Sequence, residues 1–321
     1  MKMVILDGYG LNPGDLSWKG LEEFGELTVF DRTDITDNAL IIERIGQSEM
    51  VFTNKVPITD EIMEACPSLK YVGVFATGYN VIDIEAAKTR GIVVTNIPSY
   101  GTDAVAQFTW ALLLEIASQV GRHNQSVASG DWENSIDFTY WKTPLLELAG
   151  KTIGLIGYGK IAQAVAEIAR AFKMSVIYYN HRPKESGSTF IKQVSLEELY
   201  EKSDVISLHV PQFPETLEMI NDDAINQMKS DVILINTSRG GLIDEQAVAN
   251  GLNNGKIRAY GADVVSHEPI LSSNPLLKAK NCYLTPHIAW APVEARERLL
   301  SIAVENVKQF LNDTPQNNVA I

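Results

Sequence analysis

Residues 151–162, Lys-Thr-Ile-Gly-Leu-Ile-Gly-Tyr-Gly-Lys-Ile-Ala, decide the fold of this 321-residue chain. The apolar run before the glycines is short enough for a buried parallel strand, and the alanine-rich run after them continues as a helix. Gly157, Gly159 and Ala162 fit the pattern G-x-G-x-x-G/A, in which the glycines give a tight turn and room for a pyrophosphate. We predict a dinucleotide site at the start of this helix, although a plain strand–turn–helix fits the same letters.

Strand-like and helix-like segments alternate on both sides of this motif, which is typical of βαβ units and parallel sheets. A helical pattern over 102–121 and an irregular region over 129–149 separate the two series. Another helical pattern, over 293–311, follows the second series and could return to cover the first. The sequence therefore predicts an α/β protein with two doubly wound parallel-sheet domains. The predicted strands are 3–6, 27–30, 50–53, 71–75, 92–95, 153–156, 176–179, 205–210, 232–236, 260–264 and 283–285.

Composition narrows the class of function. The formal net charge of −13 argues against a surface for nucleic acid or for an anionic membrane. Cys66 and Cys282 lie far apart and lack metal-ligand spacing, so they are interpreted as thiols of a reducing compartment. The chain offers no apolar stretch long enough for a signal peptide or a membrane span. We predict a cytoplasmic protein with no metal, nucleic-acid or membrane partner.

Three polar residues follow successive strands of the second series, at the edge where open α/β sheets bind ligands. Arg239 could pair with a carboxylate through its fork of N–H groups. His287 could pass a proton to a forming alkoxide, and Glu268 could stabilise the imidazolium. Each residue alone would also fit a surface ion pair, a turn or a packed loop. Together, after the glycine motif, they predict reduction of a carbonyl group.

Four separated segments together are typical of one known family. They are GLIGYGKIA (154–162), INTSRGGLIDEQAV (235–248), GADVVSHEP (261–269) and TPHIAWA (285–291). These segments resemble the D-isomer-specific 2-hydroxyacid dehydrogenase family and, within it, the glycerate dehydrogenases (hydroxypyruvate reductases). The segment 74–83 is also similar to that family's substrate loop, so the resemblance covers nearly the whole chain.

The resemblance implies an NAD- or NADP-dependent enzyme that interconverts a small 2-keto acid, with hydroxypyruvate or glyoxylate favoured, and its D-2-hydroxy acid. It implies a flavodoxin-like substrate-binding domain made of 1–100 plus 288–321, and a Rossmann nucleotide-binding domain over 101–287. It also implies a hinged cleft and a homodimer formed mainly through the nucleotide domains.

The resemblance assigns roles to individual residues. Arg239 would bind the substrate carboxylate and keto oxygen, and His287 would be the acid in reduction and the base in oxidation. Glu268 would orient His287. The backbone N–H groups of Thr77 and Gly78 would bind the carboxylate. The same two residues would also be compatible with an ordinary turn at the end of a strand.

Further residues are assigned to the cofactor and to a neighbouring subunit. Trp141 would reach the neighbour's active site, but a buried interface tryptophan explains it about as well. The expected cofactor residues are Thr102 beside the nicotinamide (or only a helix N-cap), Asp263 facing the nicotinamide amide, and Gly157, Gly159, Lys160 and Ile161 around the pyrophosphate.

One position departs from the usual NAD-binding pattern. The second strand of a site that prefers NAD usually ends in an acid that binds the ribose hydroxyls. Here Asn180 stands there, followed by His181 and Arg182. Asn180 does not repel a 2′-phosphate, and Arg182 or Lys184 could pair with one. The choice between NAD and NADP stays open.

Two alternatives remain at the level of sequence. One is the same family acting on another substrate, such as a lactate-like acid, 3-phosphoglycerate or phosphite. The other is a dinucleotide-sensing binding protein like the corepressors that share this fold, because such proteins can retain the same polar residues.

Overall fold

The computed structural model describes residues 1–184 and 186–321. Its strands are β1 (Lys2–Ile5), β2 (Glu26–Val29), β3 (Met50–Thr53), β4 (Tyr71–Val74), β5 (Val93–Thr95), β6 (Thr152–Ile156), β7 (Ser175–Tyr179), β8 (Ile191–Gln193), β9 (Val205–Leu208), β10 (Val232–Asn236), β11 (Ile257–Ala262) and β12 (Cys282–Leu284). Its helices are α1 (Lys19–Glu22), α2 (Asn38–Ile45), α3 (Asp60–Ala65), α4 (Ile84–Thr89), α5 (Thr102–Ser118), α6 (Val120–Ala128), α7 (Lys160–Ala171), α8 (Leu196–Lys202), α9 (Asp222–Gln227), α10 (Glu245–Asn254) and α11 (Val293–Leu311).

The chain divides into two compact units, which we call unit 1 (Met1–Gly101 and Trp290–Ile321) and unit 2 (Thr102–Ala289). These boundaries lie one and two residues beyond those expected from sequence. Ile288 and Ala289 group with unit 2, since both backbone N–H groups donate to the carboxylate of Asp263.

Unit 1 contains a parallel sheet with strand order β2-β1-β3-β4-β5. All four residues of β3 and all four of β4 are buried, which is typical of parallel strands covered on both faces. On one face α2, α3 and α4 pack against Val51, Val72 and their neighbours. On the other, α1 and α11 pack against Phe52 and Tyr71. Helix α11 thus completes the core of unit 1.

Helix α11 buries a face slightly rotated from the predicted one. From its sequence this helix is predicted to bury an apolar stripe of Leu300, Val304, Val307 and Leu311, but Leu311 is 38 % exposed. Leu299 is fully buried instead, together with Val307. The shift follows from the sheet that the helix covers, because a helix buries the face that its neighbours complete.

Unit 2 contains a parallel sheet in which the described strands run in the order β12-β11-β10-β9-β6-β7-β8. Helices α5 and α7 cover one face, and α8, α9 and α10 cover the other. From β6 the chain builds outward to β7 on one side and later to β9 on the other. The junction of β6 and β9 is therefore the switch point of the sheet, where α/β folds bind ligands beyond the carboxyl ends of the strands. The predicted fold class is confirmed.

Several elements of unit 2 differ from the sequence-based prediction in extent, such as β11, which runs over Ile257–Ala262 and not 260–264, and two others differ in kind. The predicted helix over 102–121 is interrupted at Gln119, which adopts the left-handed conformation (φ 51°, ψ 40°). Its Nε2 donates to the hydroxyl of Tyr283 at 2.6 Å, a partner that only the fold supplies. The short edge strand β8 was not predicted, because its letters Ile-Lys-Gln carry no strand pattern. No helix in residues 1–184 and 186–321 is long and apolar enough to cross a membrane.

Arg296 connects α11 to the loop that precedes α1. The residue is 8 % exposed, and its Nη1 and Nη2 donate to the two carboxylate oxygens of Asp15 at 2.8 and 2.6 Å. Nη1 also donates to the carbonyl oxygen of Leu11 at 3.0 Å. Hydrogen bonding to Arg296 lowers the pKa of Asp15 from its ordinary value of 3.8. Asp15 therefore stabilises unit 1 most when it is ionised.

The lowered pKa of Asp15 predicts a pH-dependent loss of stability. A carboxyl whose pKa is depressed by folding stabilises the native state above its unfolded pKa, and this contribution disappears as pH falls through the folded pKa. We expect Asp15→Asn to lower the urea midpoint at neutral pH. The difference from wild type should shrink as pH falls below 3.8, the ordinary pKa of the carboxyl, and vanish once the carboxyl of the folded protein is protonated. Circular dichroism during urea titration measures both midpoints. A difference that stays constant from neutral to acid pH would contradict this assignment.

Candidate active site

The predicted arginine, glutamate and histidine lie in turns beyond three neighbouring parallel strands, β10, β11 and β12. His287 Nδ1 lies 2.7 Å from Glu268 Oε2, so the two side chains form a hydrogen-bonded pair. The side chains are 31 % and 34 % exposed, so both are half-buried. The structure therefore brings these two predicted residues into direct contact.

A buried aspartate shapes the turn that carries His287. Asp263 is 1 % exposed, and its Oδ1 accepts hydrogen bonds from Thr285 Oγ1 at 2.6 Å and Ile288 N at 2.9 Å. Its Oδ2 accepts from Ala289 N at 2.7 Å. These bonds flank His287 on both sides and support its left-handed backbone conformation (φ 55°), which costs energy in a non-glycine residue. The carboxylate of Asp263 thus binds the turn itself.

Arg239 lies in an ordered turn with an exposed side chain. The buried Asn236 defines this turn, because its Nδ2 donates to the carbonyl of Arg239 at 2.8 Å and its Oδ1 accepts from Ser238 N at 3.0 Å. Arg239 Nη1 donates to the carbonyl of Ser238 at 2.7 Å. Within residues 1–184 and 186–321 the guanidinium makes no salt bridge with a carboxylate. It is available to an anionic ligand.

The turns after β10 and β11 pack backbone against backbone at Gly240. A Cβ atom added to Gly240 would lie 1.9 Å from the carbonyl carbon of Val265 and 2.3 Å from the nitrogen of Ser266. Val265 N in turn lies 3.4 Å from Glu268 Oε1. The turn of Arg239 is therefore in direct contact with the loop that carries Glu268.

The glycine motif forms an open turn at the switch point of the sheet. Gly157 has φ 89°, and a Cβ there would lie 2.6 Å from the carbonyl oxygen of His209, the residue after β9. A Cβ at Gly159 would meet no atom within 4 Å, so space lies open at the start of α7. The first backbone N–H groups of a helix lack intrahelical acceptors and favour an anion. The first N–H groups of α7 belong to Lys160 and Ile161. The start of this helix is therefore suited to a pyrophosphate.

The end of the second strand contacts the glycine turn. Asn180 Oδ1 accepts from Tyr158 N at 3.3 Å, and Asn180 Nδ2 donates to the carbonyl of Arg182 at 2.8 Å. Lys184 Nζ donates to the carbonyl of Tyr158 at 2.7 Å. His181 and Arg182 are exposed. The segment beside the glycine turn therefore presents cationic and amide groups, with no acid at the position of Asn180.

In unit 1 the predicted carboxylate loop presents unbonded amides. The carbonyl oxygens of Phe75, Ala76 and Thr77 all accept hydrogen bonds from elsewhere in the unit. By contrast, the structure gives the N–H groups of Thr77 and Gly78 no acceptor among the residues it describes. Successive free N–H groups make a site for an anion.

Two other predicted residues occupy separate positions in unit 2. Thr102 is the first residue of α5, and two helical turns later Thr109 Oγ1 lies 2.9 Å from Thr237 Oγ1, just beyond β10. Trp141 lies in the irregular segment after α6 and is 65 % exposed.

Sequence reasoning did not single out His209, whose carbonyl lies against the glycine turn. It follows β9 at the switch point, where its backbone N–H donates to Ile156 and its Nε2 lies 2.9 Å from Ser207 Oγ. Burial lowers the pKa of His209 to about 4, which keeps the ring neutral near pH 7. The signal in the sequence was a histidine inside the predicted apolar strand 205–210.

Comparison with known proteins identifies the family of the chain. The profile of the D-isomer specific 2-hydroxyacid dehydrogenase NAD-binding domain matches residues 110–289. A hydroxypyruvate reductase of Blautia hydrogenotrophica is 53 % identical over 320 residues, which covers 99 % of each chain. A glycerate dehydrogenase of Methylorubrum extorquens is 39 % identical over 281 residues, 87 % of this chain and 88 % of the relative.

A solved structure has the same fold along almost the whole length. It is an NADPH-dependent glyoxylate/hydroxypyruvate reductase of Sinorhizobium meliloti in complex with NADP and malonate, with 31 % identity and a TM-score of 0.81. The alignment covers 97 % of this chain and 93 % of that one. The predicted family is thereby confirmed: this protein belongs to the D-isomer-specific 2-hydroxyacid dehydrogenases and is an NAD- or NADP-dependent oxidoreductase.

Proposed function

We propose that this enzyme reduces a small 2-keto acid, with hydroxypyruvate or glyoxylate favoured, to its D-2-hydroxy acid. The observation that carries the proposal is the hydrogen-bonded pair of His287 and Glu268 next to the turn of Arg239. The relatives named as hydroxypyruvate, glycerate and glyoxylate enzymes support the substrate class.

Substrate binding is assigned to one cation and two amides. Arg239 would bind the carboxylate and keto oxygen through parallel N–H groups. The unbonded N–H groups of Thr77 and Gly78 would bind the carboxylate. The nicotinamide supplies the hydride when it is bound. Holding the 2-keto acid in one orientation lowers the activation barrier of its reduction, because little rotational freedom remains to be lost in the transition state.

Proton transfer is assigned to His287. Its Nδ1 is engaged by Glu268, so Nε2 is the nitrogen that would donate a proton to the forming alkoxide. The carboxylate of Glu268 would orient the ring and stabilise the imidazolium before the proton leaves. In the direction of oxidation the neutral ring would accept the proton back.

Unit 2 would also bind the cofactor. Gly157, Gly159, Lys160 and Ile161 would surround the pyrophosphate, and Thr102 and Asp263 would line the nicotinamide site. Asn180, His181 and Arg182 would face the adenine ribose. Because this segment offers cations where NAD sites usually carry an acid, we propose that NADPH is accepted, with Arg182 pairing with the 2′-phosphate.

We further propose a cytoplasmic homodimer formed through unit 2, with no nucleic-acid or membrane partner. Large apolar side chains are exposed in the irregular segment after α6, and such clusters mark protein interfaces. Trp141 would belong to this interface and reach toward the neighbouring active site. Cys66 and Cys282 are free thiols, which fits a reducing compartment. The exposed apolar residues of the segment are Trp132, Ile136, Phe138, Trp141 and Leu145.

The proposed reaction is tested by the loss of reduced-nicotinamide absorbance with hydroxypyruvate and with glyoxylate, using NADH and NADPH in parallel. We expect turnover with both acids, and turnover with NADPH at least comparable to that with NADH. Arg182→Ala should raise the KM for NADPH more than that for NADH. Absence of turnover with every 2-keto acid would leave the sensing protein as the better assignment.

The role of His287 is tested by His287→Gln in the same assay. Since general acid–base catalysis contributes about 10²–10⁴-fold, we expect kcat to fall by about that factor. Binding of the reduced cofactor, followed by its fluorescence, should be unchanged. Wild-type turnover in this variant would remove His287 from the mechanism.

The packing at Gly240 predicts a second effect on catalysis. Gly240→Ala inserts a methyl group into the backbone of residues 265–266, which must move away. Because the turns of Arg239 and Glu268 share this contact, we expect kcat/KM to fall by about 5- to 150-fold, which corresponds to a strain of about 1–3 kcal/mol. Gly10→Ala is the matched control, since a Cβ there meets no atom within 4 Å. Equal activity of the two variants would contradict the proposed dependence on this packing.

The proposed interface predicts a dimer in solution. Analytical ultracentrifugation should give twice the chain mass of 35.4 kDa for the wild type. Combined Ile136→Ser and Phe138→Ser substitutions should shift it toward a monomer, because they remove apolar area from the interface. Ile35→Ser, at an exposed residue of unit 1, is the control. A monomeric wild type would refute the dimer.

A further inference from the structure

Two asparagine side chains fix the turn that follows β4 in unit 1. Asn54 Nδ2 donates to the carbonyl oxygen of Phe75 at 2.7 Å. Asn96 Nδ2 donates to the carbonyl oxygen of Thr77 at 2.8 Å. The donors come from the ends of β3 and β5, the two strands that pair with β4. The turn is therefore bonded from both sides.

The peptide group between these two bonds is fixed as well. The carbonyl of Ala76 accepts from Ile97 N at 2.9 Å, and Thr77 Oγ1 donates to the carbonyl of Ile97 at 2.8 Å. In a trans peptide the C=O and the following N–H point in opposite directions. Fixing the carbonyls of Ala76 and Thr77 therefore orients the N–H groups of Thr77 and Gly78 away from the unit's own acceptors.

Asn54 is itself anchored by the half-buried carboxylate of Asp7. Asp7, at the end of β1, accepts from Asn54 N at 2.8 and 3.0 Å through its two oxygens, and from Lys55 N at 2.6 Å. Burial raises the pKa of Asp7, and the hydrogen bonds from these amides oppose that effect. Asp7 thus fixes the backbone of Asn54, and this positions the side chain of Asn54 for its hydrogen bond to Phe75.

Asn96 is anchored by the C-terminal segment. Asn306 of α11 is fully buried, and its Nδ2 donates to the carbonyl of Asn96 at 3.0 Å. Asn306 Oδ1 accepts from Asn317 Nδ2 at 2.8 Å, and Asn96 N donates to the carbonyl of Asn317 at 3.2 Å. The end of the chain therefore supports the turn after β4 through Asn96.

We propose that Asn96 is a positioning residue for the substrate carboxylate, which orients the N–H of Gly78 by fixing the carbonyl of the same peptide group. Asn54 has the same effect on the peptide that joins Phe75 and Ala76. Neither side chain binds the anion. Without these donors the peptide groups can rotate, and a carbonyl dipole then replaces an N–H at the anion site. This inference rests on the proposed function, because it identifies the anion as the carboxylate of the substrate.

Steady-state kinetics of Asn96→Ala, Asn96→Asp and Asn54→Ala provide the first test. The loop amides would bind the carboxylate equally in the ground and transition states, so their loss raises KM and changes kcat little. We expect the KM for hydroxypyruvate to rise by about tenfold in the Asn96 variants and by less in Asn54→Ala. The dissociation constant of NADPH should stay at the wild-type value. An unchanged KM, or a fall in kcat alone, would overturn the proposal.

Asn38→Ala is the matched control, since this asparagine of unit 1 is bonded only to the exposed Glu61 in the described contacts. We expect wild-type KM and kcat in this variant. A rise in KM equal to that of Asn96→Ala would show that any lost asparagine in unit 1 has the same effect, and would overturn the proposal.

A titration with oxalate, followed through the Gly78 amide resonance of ¹⁵N-labelled protein, tests the same role without turnover. The Gly78 resonance should shift and saturate in the wild type, and the dissociation constant of oxalate should rise about tenfold in Asn96→Ala. No response of Gly78 in the wild type would overturn the positioning role. A normal response without turnover of any 2-keto acid would support that role and refute the proposed reaction. Turnover of hydroxypyruvate with a wild-type KM in Asn96→Ala would support the proposed reaction and refute the positioning role.

Discussion

The site depends on one constraint, the parallel register of three neighbouring strands in unit 2. Asn236 pairs with Ala262, and Ala262 pairs with Leu284, so β10, β11 and β12 end at the same level of the sheet. The arginine, glutamate and histidine of the site each follow one of these ends. Because ladder hydrogen bonds fix the strand ends, only short turns remain to be shaped, and a rigid scaffold places the reactive groups.

Those turns are shaped by buried polar side chains that bind backbone groups. In unit 2, Asp263 accepts three hydrogen bonds from the turn of His287. In unit 1, Asp7 accepts hydrogen bonds from the backbone N–H groups of the turn after β3. Asn236 and Asn306 satisfy both their donor and acceptor groups within their own units. A buried polar group that lacks partners is costly, so each of these side chains favours one backbone arrangement over its alternatives.

Local patterns in the sequence predicted most of the elements. The segments 50–53, 232–236 and 293–311 have the predicted bounds, because apolar periodicity acts over a few residues. The break at Gln119 was not predictable in this way. Its side chain bonds to Tyr283, which lies far along the chain.

The sequence by itself determined the class of fold, the glycine turn and the residue types of the candidate site. Each of these follows from patterns of residues that are close together in the chain. Tertiary structure decided what each polar residue contacts. Asp263 stands beside Glu268 in a motif that suggests catalysis, yet its carboxylate binds the backbone of the turn around His287. Asn96 and Asn306 carry no motif. Asn96 bonds to the turn after β4, and Asn306 bonds to Asn96, only because the sheet and helix α11 bring distant residues together. A hydrogen bond requires atoms within about 3 Å, and for residues far apart in sequence only the folded chain meets that condition.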